Sequence, residues 1–156
     1  MATPKYSAAY ISAILKRTLY ASFSTLNKGK INSRVMVFAA DADLNNFYCV
    51  TNKTTEKITE LGMNPYANLL ILGSSDKLDG TSETQVHGTA QFFSKFDDKE
   101  VKTGLDLLSE KSSMISTLKD SGSLGDYIIV KIKTSEINFR VYKDILQNIP
   151  KTTLSF

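Results

Sequence analysis

Apolar and polar positions alternate with a period of two over much of the chain, the pattern of strands with one face buried. It predicts strands at Ala21 to Leu26, Ile31 to Ala40, Asn46 to Val50, Tyr66 to Leu72, Glu83 to Phe93 and Asp126 to Lys133, with a last one through Ile137, Phe139 and Val141. Between them the period changes to that of a helix. Ile11, Ile14, Leu15 and Leu19 mark an amphipathic helix over Ser7 to Leu19, preceded by a loose terminus from Met1 to Tyr6. Ile58 and Leu61 mark a short helix over Thr55 to Met63, capped by Thr54 or Thr55 and ended by Asn64-Pro65. Val101, Leu105 and Leu108 mark another over Asp97 to Leu108, with Asp97 or Asp98 as cap, and Ser112 to Leu118 adds a helical turn. The tail from Asp144 follows neither period.

Short connections join the early strands. Asn27-Lys28-Gly29-Lys30 is a hairpin turn in which Gly29 can take a positive φ, and Asp41 to Asn45 is a turn of residues that bond their own backbone. Sequential hairpins of this kind, with Gly88 as a bend in a long strand, predict a mainly β, antiparallel barrel with helices at its ends.

Composition narrows this reading without changing it. A chain of 156 residues with 42% hydrophobic and 22% charged residues suits one globular domain. Residues 1–156 are read as that domain, with the helix at about 7–19, the barrel at about 21–141 and a tail at 142–156. No apolar run reaches the ~20 residues of a membrane span, and no signal pattern opens the chain, so a cytoplasmic protein is expected. The net charge of +3 is spread over scattered lysines, which argues against a nucleic-acid partner.

One stretch, Ile31 to Lys57, concentrates candidate chemistry. Arg34 is the one cation in an otherwise apolar strand. Thr51, Asn52, Thr54, Thr55 and Lys57 cluster where the next helix begins. A helix N-terminus offers free N–H groups and a partial positive charge, so hydroxyls and a lysine placed there make a seat for a phosphate. Arg34 and Lys57 are the expected phosphate cations. As bland alternatives, Arg34 reads as a solvated strand residue, Lys57 as a surface lysine and the threonines as helix caps.

Elsewhere the signals are weaker. His87 is the single histidine, with no second ligand at metal spacing, so no metal site is expected and a structural role is favoured over heme ligation. Cys49, the single cysteine, reads as a small buried hydrophobe. Tyr127, Phe92, Phe93 and Phe96 read as core first and as the border of a ligand or a subunit seam second. No nucleophile elbow, Walker loop or dinucleotide fingerprint occurs, and no acid or base is assigned.

The order of three stretches resembles the pyridoxamine 5′-phosphate oxidase-like flavoproteins, the FMN-binding split barrels. These are Ser33 to Phe38; Val50 to Lys57, continuing through Leu61 and Asn64-Pro65 to Leu70; and Val86-His87-Gly88-Thr89-Ala90. The resemblance covers most of Phe23 to Val141 and is strongest to the general-stress-protein-like branch. It implies a split barrel that forms a homodimer with FMN at the interface, and FMN-dependent redox chemistry on an undefined small molecule. It also implies the site: Arg34 and Lys57 on the phosphate with Thr51 and Thr55, Val35, Met36, Val37 and Val50 along the flavin, and Gln85 near the ring. Glu56 departs from the family by standing where many members carry a second basic residue. The basic, histidine-containing motif after Phe139 that true pyridoxamine phosphate oxidases use is absent, so that activity is not expected. The alternative is a non-catalytic flavin or heme binding protein on the same barrel.

Overall fold

The structure is a computed structural model that describes residues 4–75, 80–95 and 99–156. In chain order the elements are α1 (Ala8–Lys16), β1 (Tyr20–Asn27), β2 (Lys30–Val37), β3 (Ala39–Ala40), β4 (Asn46–Asn52), α2 (Glu56–Met63) and β5 (Tyr66–Gly73). There follow β6 (Ser82–Phe93), α3 (Lys99–Lys111), α4 (Ser113–Asp120), a 3₁₀ turn at Ser123–Asp126, β7 (Tyr127–Val141), α5 (Tyr142–Leu146) and β8 (Thr152–Ser155). No helix among the described residues is long and apolar enough to cross a membrane.

Among the described residues all pairings are antiparallel, and the 8-stranded sheet runs β2-β1-β5-β6-β7-β4-β3, with β8 added to β7. The two ends of that order, β2 and β3, are consecutive in the chain. The sheet therefore curls until its edges meet at one corner, Phe38, and stays unpaired between β2 and β4. This makes it a split barrel.

The alternation that predicted the strands also sorts their side chains. Phe23 on β1, Leu69 and Ile71 on β5, Val86 on β6, and Ile132, Ile137 and Phe139 on β7 point inward and are fully buried. Strand β4 is covered on both faces. Phe47 and Cys49 face the barrel, whereas Tyr48 lies under α3 and α4 with Val101, Leu105, Leu108 and Ile115. Gly104 is what lets α3 settle onto the Tyr48 ring, since a Cβ there would lie 2.2 Å from its Cδ1.

Four expectations need correction. The strand predicted over Ile31 to Ala40 is interrupted at Phe38, whose N–H leaves the ladder for the Leu19 carbonyl at 3.3 Å as the chain passes from β1 to β4 as its pairing partner. The two strands predicted after Asp126 are one, β7. A bulge opposite His87 and Gly88 takes up Ser135, whose hydroxyl donates to the His87 carbonyl at 3.0 Å, and pairing continues on both sides of it. The tail forms α5 and β8, and β8 lines up with Glu136 to Phe139. The terminus is not loose from Lys5 onward. Lys5 Nζ and Tyr6 Oη each donate to the Asp144 carboxylate at 2.6 Å, and Tyr6 stacks on Tyr10 and packs edge-on to Phe139. The expected caps Asp97 and Asp98, and Phe96, lie outside the described residues.

Candidate functional site

The split between β2 and β4 is also a groove. Val35, Met36 and Val37 form one wall. Val50, Thr51 and Asn52 form the other, and Met114, Ile115 and Leu118 of α4 cover one end, in a cavity of about 360 Å³ that reaches Tyr20, Lys57 and Tyr127. Of the residues expected to bind a cofactor, Val35, Met36, Val37, Val50, Thr51 and Lys57 thus share one space. Tyr127 reaches it because its backbone pairs with Asn52.

Lys57 sits at the polar end, on the first turn of α2. Its Nζ donates to Thr51 Oγ1 at 2.7 Å and to Thr55 Oγ1 at 3.2 Å. Thr55 is the N-cap residue, but its hydroxyl makes no cap bond to the helix; it bonds the Asn52 carbonyl and meets Lys57 and Thr51 instead. The first N–H groups of α2 are therefore left without a side-chain cap, a common route to anion binding. Lys57 is half-buried and, among the described residues, makes no ion pair. Burial, and then the nearby Arg34 charge, lower its pKa.

Arg34 lies behind this seat, on the inward face of β2, and is already occupied. Its Nη2 donates to Glu60 Oε2 at 3.1 Å, and its Nη1 to Thr25 Oγ1 at 2.7 Å and to the Asn32 carbonyl at 3.2 Å. Glu60, from α2, is only 4% exposed. It also accepts from the Thr25 hydroxyl and, at 2.7 Å, from Asn32 Nδ2. The Thr25 hydroxyl first, then Asn32 and Arg34, hold its carboxyl below the ordinary glutamate range, against the opposing effect of burial. Glu60 is the site residue that sequence reasoning missed. The carboxylate singled out there, Glu56, is exposed at the start of α2.

Gln85 is not brought to the groove. It stands on the outward face of the sheet, in the row Val35, Ser22, Leu70, Gln85, roughly 14 Å from Val35 at ordinary strand spacing. His87 occupies the next polar row. Its Nδ1 meets the Tyr66 hydroxyl and accepts from Asn68 Nδ2 at 3.2 Å. Both contacts fall on the same ring nitrogen, Nδ1. No cluster of three or more potential metal ligands occurs among the described residues. Cys49 is buried, and burial pushes its thiol up to about 12. It is inert as a nucleophile.

Comparison with known proteins agrees with this architecture. The family model described as pyridoxamine 5′-phosphate oxidase matches residues 8–141. The chain belongs to that family. No curated protein matches it. Among solved structures, a heme binding protein from Mycobacterium smegmatis superposes with a TM-score of 0.74 at 13% identity, covering 98% of this chain; the chain spans 60% of that protein. General Stress Protein 26 from Bacillus anthracis gives 0.61 at 21% identity, covering 94% and 95% of the two chains. HutZ, the heme storage protein from Vibrio cholerae, gives 0.66 at 12%, covering 84% and 91%. At these identities the likeness is one of fold: the family's antiparallel β split barrel with helices is shared, and the bound group is not transferred.

Proposed function

We propose that this family member is an FMN-binding flavoprotein that works as a homodimer and carries out FMN-dependent oxidation or reduction of a small molecule. The observation that carries the reading is Lys57. A half-buried cation held by two hydroxyls, facing a groove and without an ion pair among the described residues, is matched by an anion. The groove's apolar walls suit a planar ring, and its polar end suits a phosphate. The fit is therefore to a phosphorylated flavin with its phosphate on Lys57, Thr51, Thr55 and the free N–H groups of α2. Bound there, the flavin would supply the electron transfer. The chain would orient it through the backbone of Val35 to Val37 and keep water from one face with Met114, Ile115 and Leu118.

The homodimer reading rests on the outward sheet face beside the groove. Tyr20, Ile31, Val35, Leu70 and Leu72 stand there with exposures of 56, 73, 71, 43 and 55%. An apolar sheet face this open is ordinarily covered by a partner, and a second copy would bring its own Val35 row to meet this one. It would also wall the open side of each groove. Heme is not favoured, because the one histidine of the chain lies outside the groove, on the row with Asn68.

The test is differential affinity. FMN should bind more tightly than riboflavin, which lacks the phosphate. Lys57→Gln should remove most of that difference, a loss of about 1.5–3 kcal/mol for a charge-assisted bond. Equal affinity of wild type for FMN and riboflavin would remove the phosphate seat from the account.

A further inference from the structure

The seat holds two cations by composition, but their charges are not equally available. Arg34 and Glu60 are joined by the 3.1 Å contact, and both are tied to the same hydroxyl, that of Thr25. Glu60 has its second oxygen on Asn32. It is therefore fixed on both oxygens, and the guanidinium is held by Nη1 on the Thr25 hydroxyl and by Nη2 on Glu60 Oε2. Glu60 is buried, and Arg34 is 24% exposed at its side chain. Lys57 makes no ion pair among the described residues, and its side-chain bonds there go to hydroxyls.

We propose that Glu60 is the specificity-determining residue of the phosphate seat: it cancels the charge of Arg34, so that Lys57 alone supplies the cation that the phosphate meets. The inference rests on the phosphate-seat reading above. It differs from what the family resemblance implies, in which Arg34 meets the phosphate itself. In this chain Arg34 is a positioning residue. It holds Glu60, which braces α2 against β1 and β2 and so sets where Lys57 points. The net charge behind the seat is zero with both partners present, positive with Glu60 neutralised, and negative with Arg34 neutralised.

Charge-neutralising variants separate these cases. FMN and riboflavin affinities are measured by quenching of flavin fluorescence for wild type, Glu60→Gln, Arg34→Gln and the double variant. Two unit charges several ångströms apart at a protein surface are worth about tenfold in affinity, so Glu60→Gln should raise the preference for FMN over riboflavin by about that factor and Arg34→Gln should lower it similarly. The double variant should return to within about threefold of wild type, because it restores a neutral background. Arg34→Gln leaves a buried carboxylate unpaired and is the variant most prone to misfold; Glu60→Gln and the double variant decide the question without it. A double variant as weak for FMN as a phosphate-contact loss, with Glu60→Gln unchanged, overturns the inference and returns Arg34 to direct contact. A wild type without preference for FMN over riboflavin overturns the seat reading and the inference together.

Discussion

Arg34 and Glu60 meet at 3.1 Å across the gap between β2 and α2, and Lys57, one turn earlier on the same helix, makes no ion pair among the described residues. Two cations that look equivalent along the chain are thus unlike in the fold. One is part of the frame and the other faces the groove.

Thr51→Val should weaken FMN binding with little change in stability. It removes the 2.7 Å acceptor of Lys57 and leaves the groove's shape intact. Loss of one hydrogen bond to a charged group is worth about 1.5–3 kcal/mol, and here Thr55 still holds the ammonium, so the lower end is expected. Titration of the variant with FMN, alongside a thermal melt, checks both halves.

Gly104→Ala should destabilise the protein. Alanine would gain about 0.5–1 kcal/mol of helix propensity. Its Cβ would meet the Tyr48 ring at 2.2–2.6 Å, and Tyr48 is buried and cannot swing away. Overpacking of a buried contact costs about 1–3 kcal/mol, so the clash outweighs the propensity. The denaturation midpoint of the variant should fall.

Much of this fold was legible in the sequence, and the failures share a cause. Period-two alternation found the strand bodies, since each has one face on the core. It could not see that the Phe38 N–H leaves the ladder for the Leu19 carbonyl, or that Ser135 is absorbed in a bulge, because both depend on which strand lies alongside. Strand β8 is four residues of mixed polarity that pair with β7 and pack through Leu154 against the core. At the site, Arg34, Thr51, Thr55 and Lys57 were readable from their place at a strand end and helix start. Glu60 was not, because a glutamate inside a short helix reads as surface. Its burial comes from Thr25 and Asn32, which are distant in sequence.

Acid should destabilise the protein through Glu60 and Asp144. Asp144 is held below the ordinary aspartate range by Lys5 and then Tyr6, and Glu60 by Thr25 first. Both bind protons more readily unfolded than folded, so their contribution is present above about pH 4 and is lost as pH falls through the lowered folded values. Melting temperature between pH 3 and 6 should rise more steeply for wild type than for Asp144→Asn. Parallel curves would contradict this.

The alkaline side turns on Lys111. Its Nζ lies 3.7 Å from the centre of the Phe38 ring and donates to the Leu15 and Phe38 carbonyls at 2.9 and 3.0 Å, joining α1, α3 and the strand corner. Burial lowers its pKa from 10.5 to about 8. The unfolded chain then binds this proton more tightly than the folded one, so the contribution of Lys111 to stability grows as pH rises from about 8 to 10.5. The difference in unfolding free energy between wild type and Lys111→Met should increase over that range. A difference independent of pH would show that the ammonium titrates normally.

The most direct test of the central claim is the absorbance spectrum of the purified protein before and after incubation with FMN and gel filtration. Wild type should retain flavin bands near one FMN per chain, and Lys57→Gln should lose them. A protein that elutes colourless after incubation would contradict it, and the groove between β2 and β4 would then have to hold something other than a phosphorylated flavin.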